Sequence, residues 1–292
     1  KQDAEAIAKL IALYVQRNNR LAAPKYLVGE SYGGFRAAKV AGALKDRQSI
    51  VVSGAMMLSP LLDATLNFKA TDYPLGAALQ LPSLAAAELE RRKMFSPAAV
   101  KAAETYAMSD YLIAMAGPPP EGEAASTLYR KVAQLTGIPV DQVARTRGFV
   151  GDLYTRGATA ATSQLVSPYD AGHVAPDPYP DADFDRGEDP ILDGFTRAYG
   201  AAFVAYARNE LGFATDMTYN LLNTDVNRKW DWSDGNAGSR SDASVTDDIR
   251  VLLSTIPSFR LMVTHGYSDA LTPYGASRYV LEHLPPTLAK GR

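Results

Sequence analysis

The stretch Gly29-Glu30-Ser31-Tyr32-Gly33, with Gly34 behind it, sets a hydroxyl among small residues at the spacing G-x-S-x-G. That spacing suits nucleophilic catalysis. A serine on a sharp, strained turn between a strand and a helix is lifted clear of the fold, and the glycines leave the room such a turn needs. Its oxygen then sits at a helix N-terminus, where the dipole and unpaired backbone N–H groups stabilise an oxyanion; the Tyr32 N–H is the expected donor. The rival reading is a phosphate-binding turn. Against it, no Gly-Lys-Ser/Thr follows, and Tyr32 and Phe35 are bulky for a phosphate cradle.

A serine needs a base, and the base needs an acid to orient it. Asp269 ends the turn Gly266-Tyr267-Ser268-Asp269, just after an apolar run at 261–263, and is the candidate acid. Its structural alternative is an Asx-turn aspartate. The base is harder to place, because the chain has three histidines. His283 lies near the end of a helical stretch and reads as a helix-end charge. His265 precedes the acid and reads as packed or hydrogen-bonded beside the site. His173, in a loop, reads as solvated. None fits the base, and no two share ligand spacing, so neither a metal nor another cofactor is expected.

The elements that must position these groups follow from periodicity. Residues 4–15 carry Ile7, Leu10, Ile11, Tyr14 and Val15 at helical spacing, with Asp3 as a candidate cap. A short apolar run at 25–28 predicts a buried strand, 35–44 a helix and 55–58 a second strand. From Asp63 to about Ala243 the pattern is helical with proline-rich loops: helices are predicted at 98–116, 128–136, 140–146 and 191–211. Loops or linkers are predicted at 167–190 and 230–241. Alternation then returns, with a helix at 247–255 that Thr246 could cap, a strand at 260–264 and a helix at 274–284. The expected fold class is α/β: a mostly parallel sheet with flanking helices over 1–62 and 244–292, interrupted by a large helical insertion over 63–243.

Composition narrows the function. The 292 residues are 47% hydrophobic and carry a net charge of −2, which supplies no basic surface for nucleic acid. The basic run Arg91-Arg92-Lys93 reads as a solvated helix face. No apolar stretch is long enough to span a membrane. Cysteine is absent, so neither a disulfide nor a thiolate site can form.

Gly29-Glu30-Ser31-Tyr32-Gly33-Gly34 resembles the G-E-S-Y-[AG]-G signature of the serine carboxypeptidase family of α/β-hydrolases. His265-Gly266-Tyr267-Ser268-Asp269-Ala270-Leu271-Thr272-Pro273 is similar to that family's N-G-Y-x-D-x-x-T-P segment in bacterial members, with His265 as a departure. The stretch from Asp225 to Trp232 also looks like a late part of the bacterial insertion domain. The resemblance spans nearly the whole chain. It implies release of C-terminal residues from peptides through an acyl-enzyme, favoured in acid, in a periplasmic or secreted protein without a cofactor. It implies Ser31 as nucleophile, Asp269 as triad acid, the Tyr32 N–H as oxyanion donor, Gly29, Gly33 and Gly34 as elbow glycines, and Glu30 in the pocket for the substrate's carboxylate. The last role has a physical basis, since two carboxyls at hydrogen-bond distance must share a proton. The alternative for Glu30 is a structural carboxylate held by backbone N–H groups.

The family's upstream strands and its Gly-His motif beyond the acid have no counterpart here. The expectation is therefore a partial hydrolase core, inactive as this chain alone, with self-association possible through an exposed sheet edge. An esterase or aminopeptidase of the same fold, and a non-catalytic binding protein on a degenerate hydrolase scaffold, are the competing readings.

Overall fold

The computed structural model describes residues 1–182, 189–232 and 239–290. It is a mixed α/β structure, mostly helical, around a small parallel sheet. The first part runs α1 (Gln2–Arg17), β1 (Tyr26–Glu30), α2 (Tyr32–Gln48) and β2 (Gly54–Leu58). A long excursion follows: α3 (Ala64–Phe68), α4 (Pro74–Arg91), α5 (Pro97–Tyr106), a π turn at Ala107–Tyr111, α6 (Leu112–Ala116), α7 (Gly122–Thr136), α8 (Val140–Arg145) and α9 (Tyr154–Gly157). The antiparallel pair β3 (Gln164–Val166) and β4 (Val174–Pro176), then α10 (Pro190–Asn209) and α11 (Thr224–Arg228), complete it. The last part is α12 (Thr246–Thr255), β5 (Arg260–Thr264), α13 (Tyr274–Glu282) and α14 (Pro286–Ala289).

The sheet order is β1-β2-β5, all parallel, with Glu30 opposite Leu58 and Leu58 opposite Thr264. All three C-terminal strand ends therefore finish at one edge, the place where open α/β sheets bind ligands. One face buries Ala55 and Met57 beneath α2, against which α1 and α12 pack; Ala8, Ala41, Leu44, Leu253 and Phe259 fill that core. The other face is largely exposed among the described residues. Val28, Met56 and Met262 stand in register across the strands at 67%, 39% and 54% exposure. The outer edges of β1 and β5 have no strand partner among the described residues.

The excursion leaves and rejoins the sheet at one point. Val245 N–H donates to Leu62 O (2.9 Å), Ala64 N–H to Ala243 O (2.8 Å), and Asp63 bridges Ser244. Its centre is α4, which is buried at every residue from Gly76 to Glu88. A helix apolar all round must be enclosed, and α4 is, by α5, α7 and, across the junction, α13. Gly275 of α13 permits that last contact, because a Cβ there would lie 2.3 Å from Leu79 O.

Several local expectations change. Asp3 lies inside α1, whose cap is Lys1, and instead takes an ion pair from Arg36 Nε at 2.6 Å. Thr246 is the first residue of α12 rather than its cap; Ser244 Oγ accepts its N–H (3.2 Å). Of the basic run, Arg92 and Lys93 are exposed, as a solvated face requires, whereas Arg91 is half-buried and closes on the buried Glu88 at 2.8 Å, which Arg92 also meets at 2.5 Å. Burial of that carboxylate on an enclosed helix requires such partners. Within the loops expected at 167–190 and 230–241, β4 and a 3₁₀ turn at Arg240–Asp242 form, while 183–188 and 233–238 lie outside the described residues.

Candidate active site

Ser31 joins β1 to α2 with φ 54° and ψ −119°. This backbone region is unfavourable for a residue with a Cβ and costs on the order of 1–3 kcal/mol, so the surroundings must enforce it. They do so from three sides. The Ser31 N–H donates to Leu58 O (2.9 Å), and its carbonyl accepts from Gly34 N–H (3.0 Å) and Leu61 N–H (3.1 Å). The glycines permit this close passage. A Cβ on Gly29 would lie 2.0 Å from Gly33 O, and one on Gly34 would lie 2.5 Å from Pro60 Cβ, whereas Gly33 faces open space. Ser31 is the N-terminal cap of α2 by position, but its side chain makes no capping bond and no other hydrogen bond to a described residue. The oxygen thus stands without a hydrogen-bond partner among the described residues, at the positive end of a 17-residue helix. The Tyr32 N–H, first of that helix, has no intrahelical acceptor.

Asp269 is 7% exposed. Its Oδ1 accepts from Leu271 N–H (3.1 Å) and Thr272 N–H (2.9 Å), and its Oδ2 from Thr272 Oγ1 (2.8 Å). These are Asx-turn bonds, and they also fix the direction of the carboxylate. The turn itself is held by the excursion. Gln80, buried in the middle of α4, donates Nε2 to Ala270 O (2.9 Å). Pro168 O accepts from Ala270 and Leu271 N–H (3.1 and 2.9 Å), and Ser268 O from Ala171 N–H (2.8 Å).

Ser31 and Glu30 open on a cleft of about 630 Å³, within the range of small-molecule sites. Leu271 and Thr272, which bind Asp269, line the same cleft. Its walls are aromatic: Tyr32, Phe68, Tyr169, Trp230 and Trp232. Trp230 Nε1 donates to Tyr32 Oη (3.2 Å), and Trp232 stands edge-on to Tyr32 at 5.1 Å. Among the described residues, the charges on its lining are Glu30, Arg36 and Arg240.

Glu30 keeps solvent contact at the open side of the cleft, and its partial burial, followed by the charge of Asp269, pushes its carboxyl above the ordinary 4.5. The sign of the consequence follows from linkage. The folded state holds this proton more tightly than the unfolded chain, so stability is greatest below the unfolded value and declines as pH rises through the raised one. Glu30→Gln is therefore expected to match the parent near pH 4 and to unfold at higher urea near pH 7. Urea midpoints at the two pH values check this. A variant less stable than the parent near neutrality would instead make Glu30 a structural carboxylate.

None of the three histidines lines the Ser31 cleft. His265 Nδ1 lies 3.0 Å from Thr272 O, its ring facing a separate cavity with Tyr267 and Tyr274, and burial holds it below the usual imidazole range. His283 stacks on Tyr279 at 4.0 Å. His173 is exposed. Sequence reasoning missed Phe68, Tyr169 and Arg240. The one available clue was that both tryptophans of the chain fall within Trp230-Asp231-Trp232. Among the described residues no group of three His, Asp or Glu could hold a metal ion, and no helix is long and apolar enough to cross a membrane. Comparison of the chain with protein-family models, with curated proteins and with solved structures found no match.

Proposed function

We propose that this chain carries the nucleophile, the orienting acid and the substrate cleft of a serine carboxypeptidase, on part of an α/β-hydrolase core. The observation that carries the reading is the Ser31 backbone, held at positive φ with its hydroxyl open to an aromatic cleft, next to a carboxyl that resists ionisation. In the proposed reaction Ser31 Oγ adds to the carbonyl carbon of the last peptide bond and loses its proton to a base. The Tyr32 N–H holds the resulting oxyanion. Collapse breaks the C–N bond and releases the C-terminal amino acid with that proton; water then hydrolyses the ester. No histidine of this chain lines the cleft, so this reading assigns no residue to the base. The same observation favours a second reading, a peptide-binding protein without catalysis.

Both readings require recognition of a peptide end, and the chain carries its own reporter. Its two tryptophans flank the cleft, so intrinsic fluorescence reads occupancy there. N-benzoyl-Phe-Leu with a free carboxylate is expected to bind at least about tenfold more tightly than its C-terminal amide, equivalent to one charged hydrogen bond. Equal binding of acid and amide would refute the carboxypeptidase reading and leave an esterase-type site.

A further inference from the structure

We infer that Arg240, not Glu30 alone, anchors the carboxylate of the ligand in the Ser31 cleft. The inference deepens the carboxypeptidase reading and rests on it for the identity of the ligand. Of the two cations among the described lining residues, Arg36 is already paired with Asp3 at 2.6 Å. Arg240 has no ion pair and no side-chain hydrogen bond to any described residue. Its guanidinium carbon lies 4.4 Å from the centre of Phe68 and 5.5 Å from that of Trp232. Stacking of this kind holds the planar fork in place and leaves its N–H edge free, so little side-chain freedom remains to be lost when a ligand binds.

The charge balance points the same way. Among the described residues that line the cleft, Glu30 is the one carboxylate. Counting the described lining residues, with Arg36 matched to Asp3, an ionised Glu30 roughly balances Arg240, and a protonated Glu30 leaves Arg240 unmatched. An anion is then the complementary ligand. A guanidinium takes a carboxylate through two parallel N–H···O bonds, whereas a carboxyl can take one only by sharing a proton. The terminal carboxylate of a peptide, with an aromatic or branched side chain against Phe68, Trp230 and Trp232, meets both the charge and the apolar walls. The sequence around Arg240 gives no hint of this role. The excursion and the 3₁₀ turn at Arg240–Asp242 bring it to the cleft.

The test is tryptophan fluorescence titration of the full chain with three ligands: benzoyl-Phe-Leu, its C-terminal amide, and 3-phenylpropionate, a carboxylate that is not a peptide. Arg240→Gln is expected to weaken both acids by about tenfold to a hundredfold and to leave the amide unchanged, the unchanged amide showing that the cleft is intact. Arg240→Lys, which keeps the charge but not the fork, should fall between parent and Gln variant. Phenylpropionate separates the two claims. If it depends on Arg240 while the parent binds peptide acid and amide equally, the anion site stands and the carboxypeptidase reading fails. If the parent prefers the acid and Arg240→Gln keeps that preference, the reading stands and this inference is overturned. A loss of amide binding equal to that of the acids would also overturn it, since Arg240 would then only shape the aromatic wall.

Discussion

Gly29→Ala is expected to lose more than about 3 kcal/mol of stability, at the upper end of what overpacking costs, because the clash cannot be relieved by a side chain. The added carbon would stand 2.0 Å from Gly33 O, 2.3 Å from Gly33 C and 2.7 Å from Gly34 N, all backbone atoms of the first turn of α2. Relief requires α2 to slide along the sheet. Its buried face, including Phe35, Ala38, Ala41 and Leu44, is packed into the main core and resists that slide. Gly33→Ala provides the internal comparison, since its Cβ would meet nothing within 4 Å. It is expected to be nearly neutral, and helix propensity even favours alanine over glycine by about 1 kcal/mol. Urea unfolding of the two variants against the parent checks the pair. Similar, small losses in both would mean that β1 and α2 are joined by an ordinary loop, and the strained serine would lose its support.

How far the sequence discloses this arrangement depends on how local the determinants are. The elbow is local in pattern: a strand run, Gly29 and Gly33 two residues to either side of Ser31 and a helix pattern lie close along the chain, while Leu58 and Leu61 supply part of what holds the φ of 54°. The strands at 260–264 and the helix after Pro273 are local too, and appear within a residue or two of their expected bounds. The enclosed α4 is not legible in the same way. Its run of Ala and Leu has no polar face to give a period, and its burial depends on α5, α7 and α13 arriving from distant parts of the chain. Long range also decides Asp3, which gives up a capping position for Arg36, thirty-three residues away. The same holds for the cleft. Ser31 announces itself by motif, as does Asp269, which holds the lining residues Leu271 and Thr272, whereas Phe68, Tyr169 and Arg240 reach the cleft only because the excursion returns at Leu62 and Val245.

Under the proposed function the Ser31 hydroxyl, which lines this cleft, is the nucleophile. The most direct measurement is covalent labelling of the full chain by a fluorophosphonate, with the modified residue located by peptide mass mapping and the reaction followed with and without added imidazole. General-base assistance typically contributes about 10²–10⁴ in rate, so imidazole is expected to raise labelling by about a hundredfold, with a single adduct on Ser31 and none in Ser31→Ala. An adduct on another residue, or labelling that survives unchanged in Ser31→Ala, or none even with imidazole present, would mean that Ser31 is not the nucleophile.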